Sequence, residues 1–136
     1  MIHAPSPLRI LLAEDDASIR SIAELSLTRV GGHHVTAVTD GAEALASLKD
    51  RTFDLILLDV MMPGIDGFET CRRIKGNPAT ATVPVVFLTA RAQAHEMQQG
   101  LSLGAVGYII KPFDPMNLPT QINEVLARCR DGKEAA

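Results

Sequence analysis

The sequence predicts an α/β fold: a doubly wound, parallel, five-stranded sheet with helices on both faces. Three observations carry that expectation. Short apolar runs recur five times, most of them continuous rather than alternating, as strands covered on both faces are. Each run is followed by a segment whose apolar residues return at helical spacing. Strand and helix then alternate from end to end, which calls for parallel strands joined by right-handed crossovers.

Taken in order, the expected strands are "LRILLA" (8–13), "HVTAV" (34–38), "DLILLD" (54–59), "VPVVFLT" (83–89) and "VGYII" (106–110). The first helix, "ASIRSIAELSLTRV", brings Ile19, Ile22 or Ala23, and Val30 near one face, with Gly31 as a stop. "DGAEALASLKD" opens on Asp40 with Glu43 three residues later, a capping-box arrangement, and turns Ala44, Leu45 and Leu48 inward. "DGFETCRRIKG" repeats that opening with Asp66 and Glu69 and buries Phe68, Cys71 and Ile74. "AQAHEMQQGLSLGA" is a weaker helix with Met97 and Leu101 as apolar contacts.

The last helix, "NLPTQINEVLARCR", presents Leu118, Ile122, Val125, Leu126 and Cys129. A start at Asp114 would put Pro119 beyond the first turn, where it breaks the hydrogen-bond ladder. A start near Asn117 places Pro119 harmlessly at the second helical position. The late start is therefore expected, with "FDPM" as a connecting loop. Residues 1–7 read as a disordered leader, 8–130 as the domain and 131–136 as a frayed polar tail.

The chain has 136 residues, enough for one domain with a real core. With no Trp, one Tyr and four Phe, that core must be built from Leu, Ile, Val and Ala. A net charge of −3 gives no footprint for direct nucleic-acid binding or an anionic membrane. No apolar run reaches membrane-spanning length, and "MIHAPSPLR" lacks the core of a signal peptide. A cytoplasmic location is expected, with Cys71 and Cys129 as free thiols. The adjacent His33 and His34 read as exposed loop residues rather than metal ligands.

Ligands of such sheets sit outside the carboxyl ends of the strands. The first strand ends in Glu14, Asp15 and Asp16, the third at Asp59, the fourth at Thr89 and the fifth at Lys111. Alone, each has a plain structural reading: a solvated turn, a helix cap at Asp16, a strand-end hydroxyl, a surface lysine. Their shared edge demotes those readings. At about 4 Å and an effective dielectric near 20, two carboxylates repel by roughly 4 kcal/mol. One lysine does not neutralise several acids, so a carboxyl stays protonated or a cation binds. Oxygen donors without imidazole or thiolate favour Mg²⁺, which also prepares the site for a phosphoryl group. The chemistry expected is phosphoryl transfer onto a carboxylate nucleophile.

In order and at compatible spacing, "LLAEDD", "LLDVMMPGIDG", "VVFLTA" and "GYIIKPF" resemble the receiver domain of two-component response regulators, typified by the chemotaxis regulator, over about residues 8–130. The resemblance implies a flavodoxin-like strand order 2-1-3-4-5. It implies Asp59 as phosphoacceptor, Asp15 as direct Mg²⁺ ligand, Glu14 acting through water, and the Met61 carbonyl as a further ligand. Aligning "SIR" (18–20) with the family's first helix favours the pair Glu14–Asp15 over Asp15–Asp16. Thr89 and Lys111 become the groups that grip the phosphoryl oxygens, Tyr108 the aromatic switch or simply a half-buried packing residue, and Lys111–Pro112 a cis peptide. Met61 and Arg91 fall where the family tunes the lifetime of the phosphate, and a slow loss is expected.

The implied function is a phosphorylation-activated switch rather than a conventional enzyme. A sensor histidine kinase or histidine phosphotransfer protein would donate the phosphoryl group. The surface of helix four, strand five and helix five would then control an effector protein or an output domain outside this chain. A monomer or weak phosphorylation-dependent dimer is expected. Two alternatives differ in class. A pseudo-receiver would be an interaction module with a silent site. An Mg²⁺-dependent aspartyl phosphatase of the haloacid-dehalogenase type would want a second Asp where Met61 stands.

Overall fold

The computed structural model describes residues 7–90 and 93–135, with side chains to Cys129. Five parallel strands, β1 (Arg9–Ala13), β2 (His34–Val38), β3 (Leu55–Asp59), β4 (Val85–Thr89) and β5 (Gly107–Ile110), form one sheet in the order β2-β1-β3-β4-β5. The helices are α1 (Ala17–Leu25), α2 (Gly41–Asp50), α3 (Gly67–Lys75), α4 (Ala94–Ser102) and α5 (Leu118–Ala135). The expected flavodoxin-like order holds.

Side-chain alternation along the strands divides the core in two. On β3, Leu55 and Leu57 face one side with Ala23 of α1 and Leu118, Ile122 and Val125 of α5. Ile56 and Leu58 face the other with Ala44 of α2 and Cys71 and Ile74 of α3. β3 and β4 are buried at every position, as strands covered on both faces should be. At about 25 cal/mol per Å² of apolar surface, each fully buried Leu or Ile contributes roughly 1.5–3 kcal/mol.

The two similar helix openings part company. Asp40 accepts from the Glu43 amide at 2.8 Å, and Glu43 reaches back to the Thr39 amide at 2.7 Å, a closed cap. Asp66 likewise accepts from Glu69 N at 2.8 Å, but Glu69 turns to Arg72 and Arg73 instead. α5 starts at Leu118, so Pro119 lies in its first turn, as the late-start reading requires.

Four expectations are corrected. The first helix does not stay α-helical to Val30: Ser26–Val30 form a π-helical turn, closed by Gly31 N donating to Ser26 O at 3.1 Å. Leu27, one ordinary α-turn after Ala23, follows it into the core, while Ile22 and Val30 are exposed. On α4, Gly100 faces inward and Leu101 is exposed. His33 is buried, because its Nδ1 accepts the Leu8 amide at 3.0 Å and so ties the entry of β1 to the turn before β2; His34 is exposed as expected. The helix α5 runs on through residues 131–135, where a frayed tail was expected. Residues 1–6 of the expected leader lie outside the described residues.

Candidate functional site

The sheet order makes β1 and β3 neighbours, with Ala13 opposite Leu58, so the residues that follow them meet. The chain leaves β1 in one direction to form β2 and returns across it to form β3. This reversal opens a crevice at the carboxyl ends of the strands. Glu14 and Asp59 are buried there, whereas Asp15 is exposed. Among the described residues, Glu14, Asp15 and Asp59 form a group able to hold a metal ion, with one oxygen of each within 4.8 Å of the others.

Lys111 enters from β5's end. Its Nζ donates to Glu14 Oε1 at 3.0 Å and to Asp59 Oδ1 at 3.1 Å, with its side chain mostly buried. Glu14 Oε2 accepts the Asp16 amide at 3.2 Å. Asp59 Oδ1 also accepts the Met61 amide at 3.2 Å. Asp16 turns away and caps α1, accepting from Ser18 N and Ile19 N at 2.9 and 3.0 Å.

Burial first, then the Glu14 and Asp15 carboxyls beside it, push the Asp59 carboxyl up to about 7, with Lys111 pulling the other way. Asp15 goes down: burial acts to raise it, but hydrogen bonding with Asp59 and Glu14 outweighs that. Lys111 goes up, because contact with Glu14 and Asp59 outweighs burial, which acts to lower it. Three acids around one ammonium leave a deficit of positive charge, and every donor on offer is a hard oxygen. Such a set suits a divalent cation of the magnesium or calcium kind.

The structure brings Glu14, Asp15, Asp59 and Lys111 together. Thr89 is buried at the adjacent strand end, and its carbonyl accepts the Lys111 amide at 2.7 Å. The Lys111–Pro112 peptide is cis. Met61 carries its side chain into solvent, 77% exposed, just beyond the end of β3. Arg91 lies outside the described residues.

Tyr108 pairs with Phe87 across the strands, their rings 5.6 Å apart. Its hydroxyl donates to the Glu96 and Met97 carbonyls of α4 at 2.9 and 2.7 Å, so the ring lies beneath that helix. Gly100 is what makes room, since a Cβ there would overlap the tyrosine hydroxyl. Gly67 plays a similar part at the site itself: a Cβ would overlap the Asp59 carbonyl oxygen, so α3 starts hard against the peptide of Asp59.

Sequence reasoning missed both glycines and also Arg20, whose Nη1 donates to the Glu14 carbonyl at 2.9 Å. A glycine facing an aromatic across an expected helix–strand contact was the available signal for Gly100. For Arg20 the signal was its place one turn into the helix that follows the acids.

A family model described as the response regulator receiver domain matches residues 10–123. The chain is 46% identical over 119 residues to the transcriptional regulatory protein AfsQ1 of Streptomyces coelicolor, covering 88% of this chain and 51% of that protein. It is 38% identical over 127 residues to the phosphate regulon transcriptional regulatory protein PhoB of Pseudomonas aeruginosa, covering 93% of this chain and 55% of the other. The chain thus spans about half the length of these curated relatives. Among solved structures, the chemotaxis response regulator CheY4 of Vibrio cholerae superposes with a TM-score of 0.83 at 32% identity, over 88% of this chain and 99% of that one.

Proposed function

We propose that this chain, which belongs to the response regulator receiver domain family, is a switch thrown by phosphorylation of Asp59. As a receiver domain it is a signalling switch rather than a conventional enzyme, which sets the phosphatase alternative aside. The observation that carries the proposal is the convergence of Glu14, Asp15 and Asp59 to within 4.8 Å around a single Lys111 ammonium.

The step is an in-line displacement. An ionised Asp59 oxygen forms a bond to phosphorus as the phosphorus–nitrogen bond of a donor phosphohistidine breaks, and the electron pair leaves with the imidazole. Lys111, already on Asp59 Oδ1, follows the charge to the phosphoryl oxygens, and Thr89 offers its hydroxyl from the next strand. Glu14, Asp15, Asp59 and the Met61 carbonyl are the groups that would hold Mg²⁺, which when bound offsets carboxylate and phosphoryl charge alike.

The donor would be a sensor histidine kinase or histidine phosphotransfer protein. The output would pass through α4, β5 and α5, where Tyr108 hangs from two α4 carbonyls and responds to movement at Thr89. The names of the relatives point to transcription, so the effector is either a partner protein or a domain outside this chain, which itself makes no direct contact with nucleic acid. The domain proper takes in residues 8–130, with the end of α5 running on beyond it. Among the described residues no helix is long and apolar enough to cross a membrane, in keeping with work in the cytoplasm.

The test is incubation with Mg²⁺ and acetyl phosphate or beryllofluoride, with Asp59→Asn alongside. One modification per chain, lost in Asp59→Asn, is the expected outcome. No modification by either reagent would make this a silent interaction module instead.

A further inference from the structure

We infer that Arg20 is a positioning residue for the acidic site: it clamps the main chain of Glu14 and Asp15 so that their carboxyls stay converged on Asp59. The inference rests on the proposed Mg²⁺-dependent switch and adds a residue to it from outside the acid cluster.

The two acids stand just past the end of β1, where the ladder to β2 runs out after the Glu14 amide. Glu14 is nevertheless fixed on every side. Its amide donates to the Val38 carbonyl at 3.1 Å. Its carboxyl accepts from the Asp16 amide and from Lys111. Its carbonyl accepts from Arg20 Nη1 at 2.9 Å, and the same nitrogen lies 3.4 Å from the Asp15 carbonyl. One guanidinium nitrogen thus spans two consecutive carbonyls, and it fixes the peptide from which the Asp15 side chain departs.

Arg20 is itself well anchored. Its amide donates to the Asp16 carbonyl at 2.9 Å, one turn into a helix that Asp16 caps. Its charge does not cancel the acids, because it engages their carbonyls and leaves the carboxylates to Lys111 and a cation. A charged donor on a carbonyl makes a stronger hydrogen bond than a neutral one. Groups that orient metal ligands without touching the metal govern affinity in the same manner.

The experiment is a Mg²⁺ titration by calorimetry of the native chain, Arg20→Ala, Arg20→Lys and Asp15→Asn. Thermal melting in EDTA and acetyl-phosphate-driven phosphorylation are measured on the same samples. Arg20→Ala is expected to bind Mg²⁺ about tenfold more weakly, with Arg20→Lys in between. At saturating Mg²⁺ its phosphorylation rate should return to within about twofold of native, a loss in apparent KM for the metal rather than in turnover.

An Arg20→Ala affinity equal to native, or tighter through relief of charge repulsion, overturns the inference. So does a weakened affinity matched by an equal loss in Arg20→Lys and a fall in melting temperature, which is general destabilisation. If Arg20→Ala does not fold, Arg20→Gln decides by the same affinity criterion. A native chain that binds no Mg²⁺, indistinguishable from Asp15→Asn, brings down the parent reading and this one with it. That result is distinct from a native chain that binds and an Arg20 variant that binds equally well.

Discussion

Asp54 and Asp59 stand at the two ends of one strand, with four buried apolar residues between them, and their surroundings are opposites. Asp54, at the amino end, is half-exposed and fully matched. It accepts the Arg9 amide at 2.8 Å and the Arg9 guanidinium at 3.3 and 3.4 Å, and the Arg9 amide and side chain hold its carboxyl below the usual range. Arg9 also donates to Thr52 at 2.6 Å. Asp59, at the carboxyl end, is buried among like charges and pushed up to about 7. One end of the sheet is balanced in pairs, and the other keeps a surplus of acid that costs stability and that the proposed phosphoryl transfer would put to use.

The largest expected break in that contrast comes from Asp59→Asn. Phosphorylation from acetyl phosphate should fall by at least about a thousandfold, since the proposed nucleophile is gone. In EDTA the variant should be more stable than the native chain by about 1–3 kcal/mol, because a crowded carboxylate is removed. Asp54→Asn should leave phosphorylation untouched and cost at most about 1 kcal/mol. Denaturant melts in EDTA read both, and a destabilised Asp59→Asn would contradict the surplus-charge account.

Next come the two cations. Lys111→Met strips the buried acids of their ammonium and should cost about 3 kcal/mol in EDTA, whereas Arg9→Met, at an exposed pair, should cost under about 1 kcal/mol. Equal costs would erase the distinction between the two ends.

A third test uses pH at the amino end. Burial, and then the neighbouring His34, holds His33 below its ordinary value, and neutral Nδ1 accepts the Leu8 amide. The folded state therefore favours the neutral ring. The stability it contributes is complete above the unfolded value near 6.5 and declines as pH falls below that toward the depressed folded value. Between pH 7 and 5 the native chain should lose stability more steeply than His33→Gln. Parallel curves would remove His33 from the account.

The smallest effect concerns Met61, solvent-exposed just beyond Asp59. If its apolar side chain keeps the hydrolytic water disordered, Met61→Asn should shorten the phosphate half-life by about fivefold, close to 1 kcal/mol in barrier. A native half-life of seconds after loading with acetyl phosphate would already reject slow loss.

How far the sequence carried depends on the range of each interaction. The strand runs, the Asp40 and Asp66 caps and the late start of α5 are written in neighbouring residues, and they were legible. So was the edge where the acids, Thr89 and Lys111 collect, because strand ends in a parallel sheet share an edge. His33 was misread because its partner, Leu8, is distant in sequence and its bond is to a backbone amide that no pattern announces. The π-helical turn takes in Val30, which is exposed rather than inward, and regular helical spacing does not foresee that. Gly100 and Arg20 act through contacts with another element, and their residue types alone say nothing of those contacts.

Tyr108 has a practical consequence. The chain contains one tyrosine and no tryptophan, so its near-ultraviolet fluorescence belongs to this ring. The ring stacks near Phe87 and donates its hydroxyl to two α4 carbonyls, an environment that changes if β5 and α4 move apart. The molecule therefore carries its own optical reporter between the proposed site and the proposed output surface. Movement of β5 against α4 can be timed in the unlabelled native protein, by light alone.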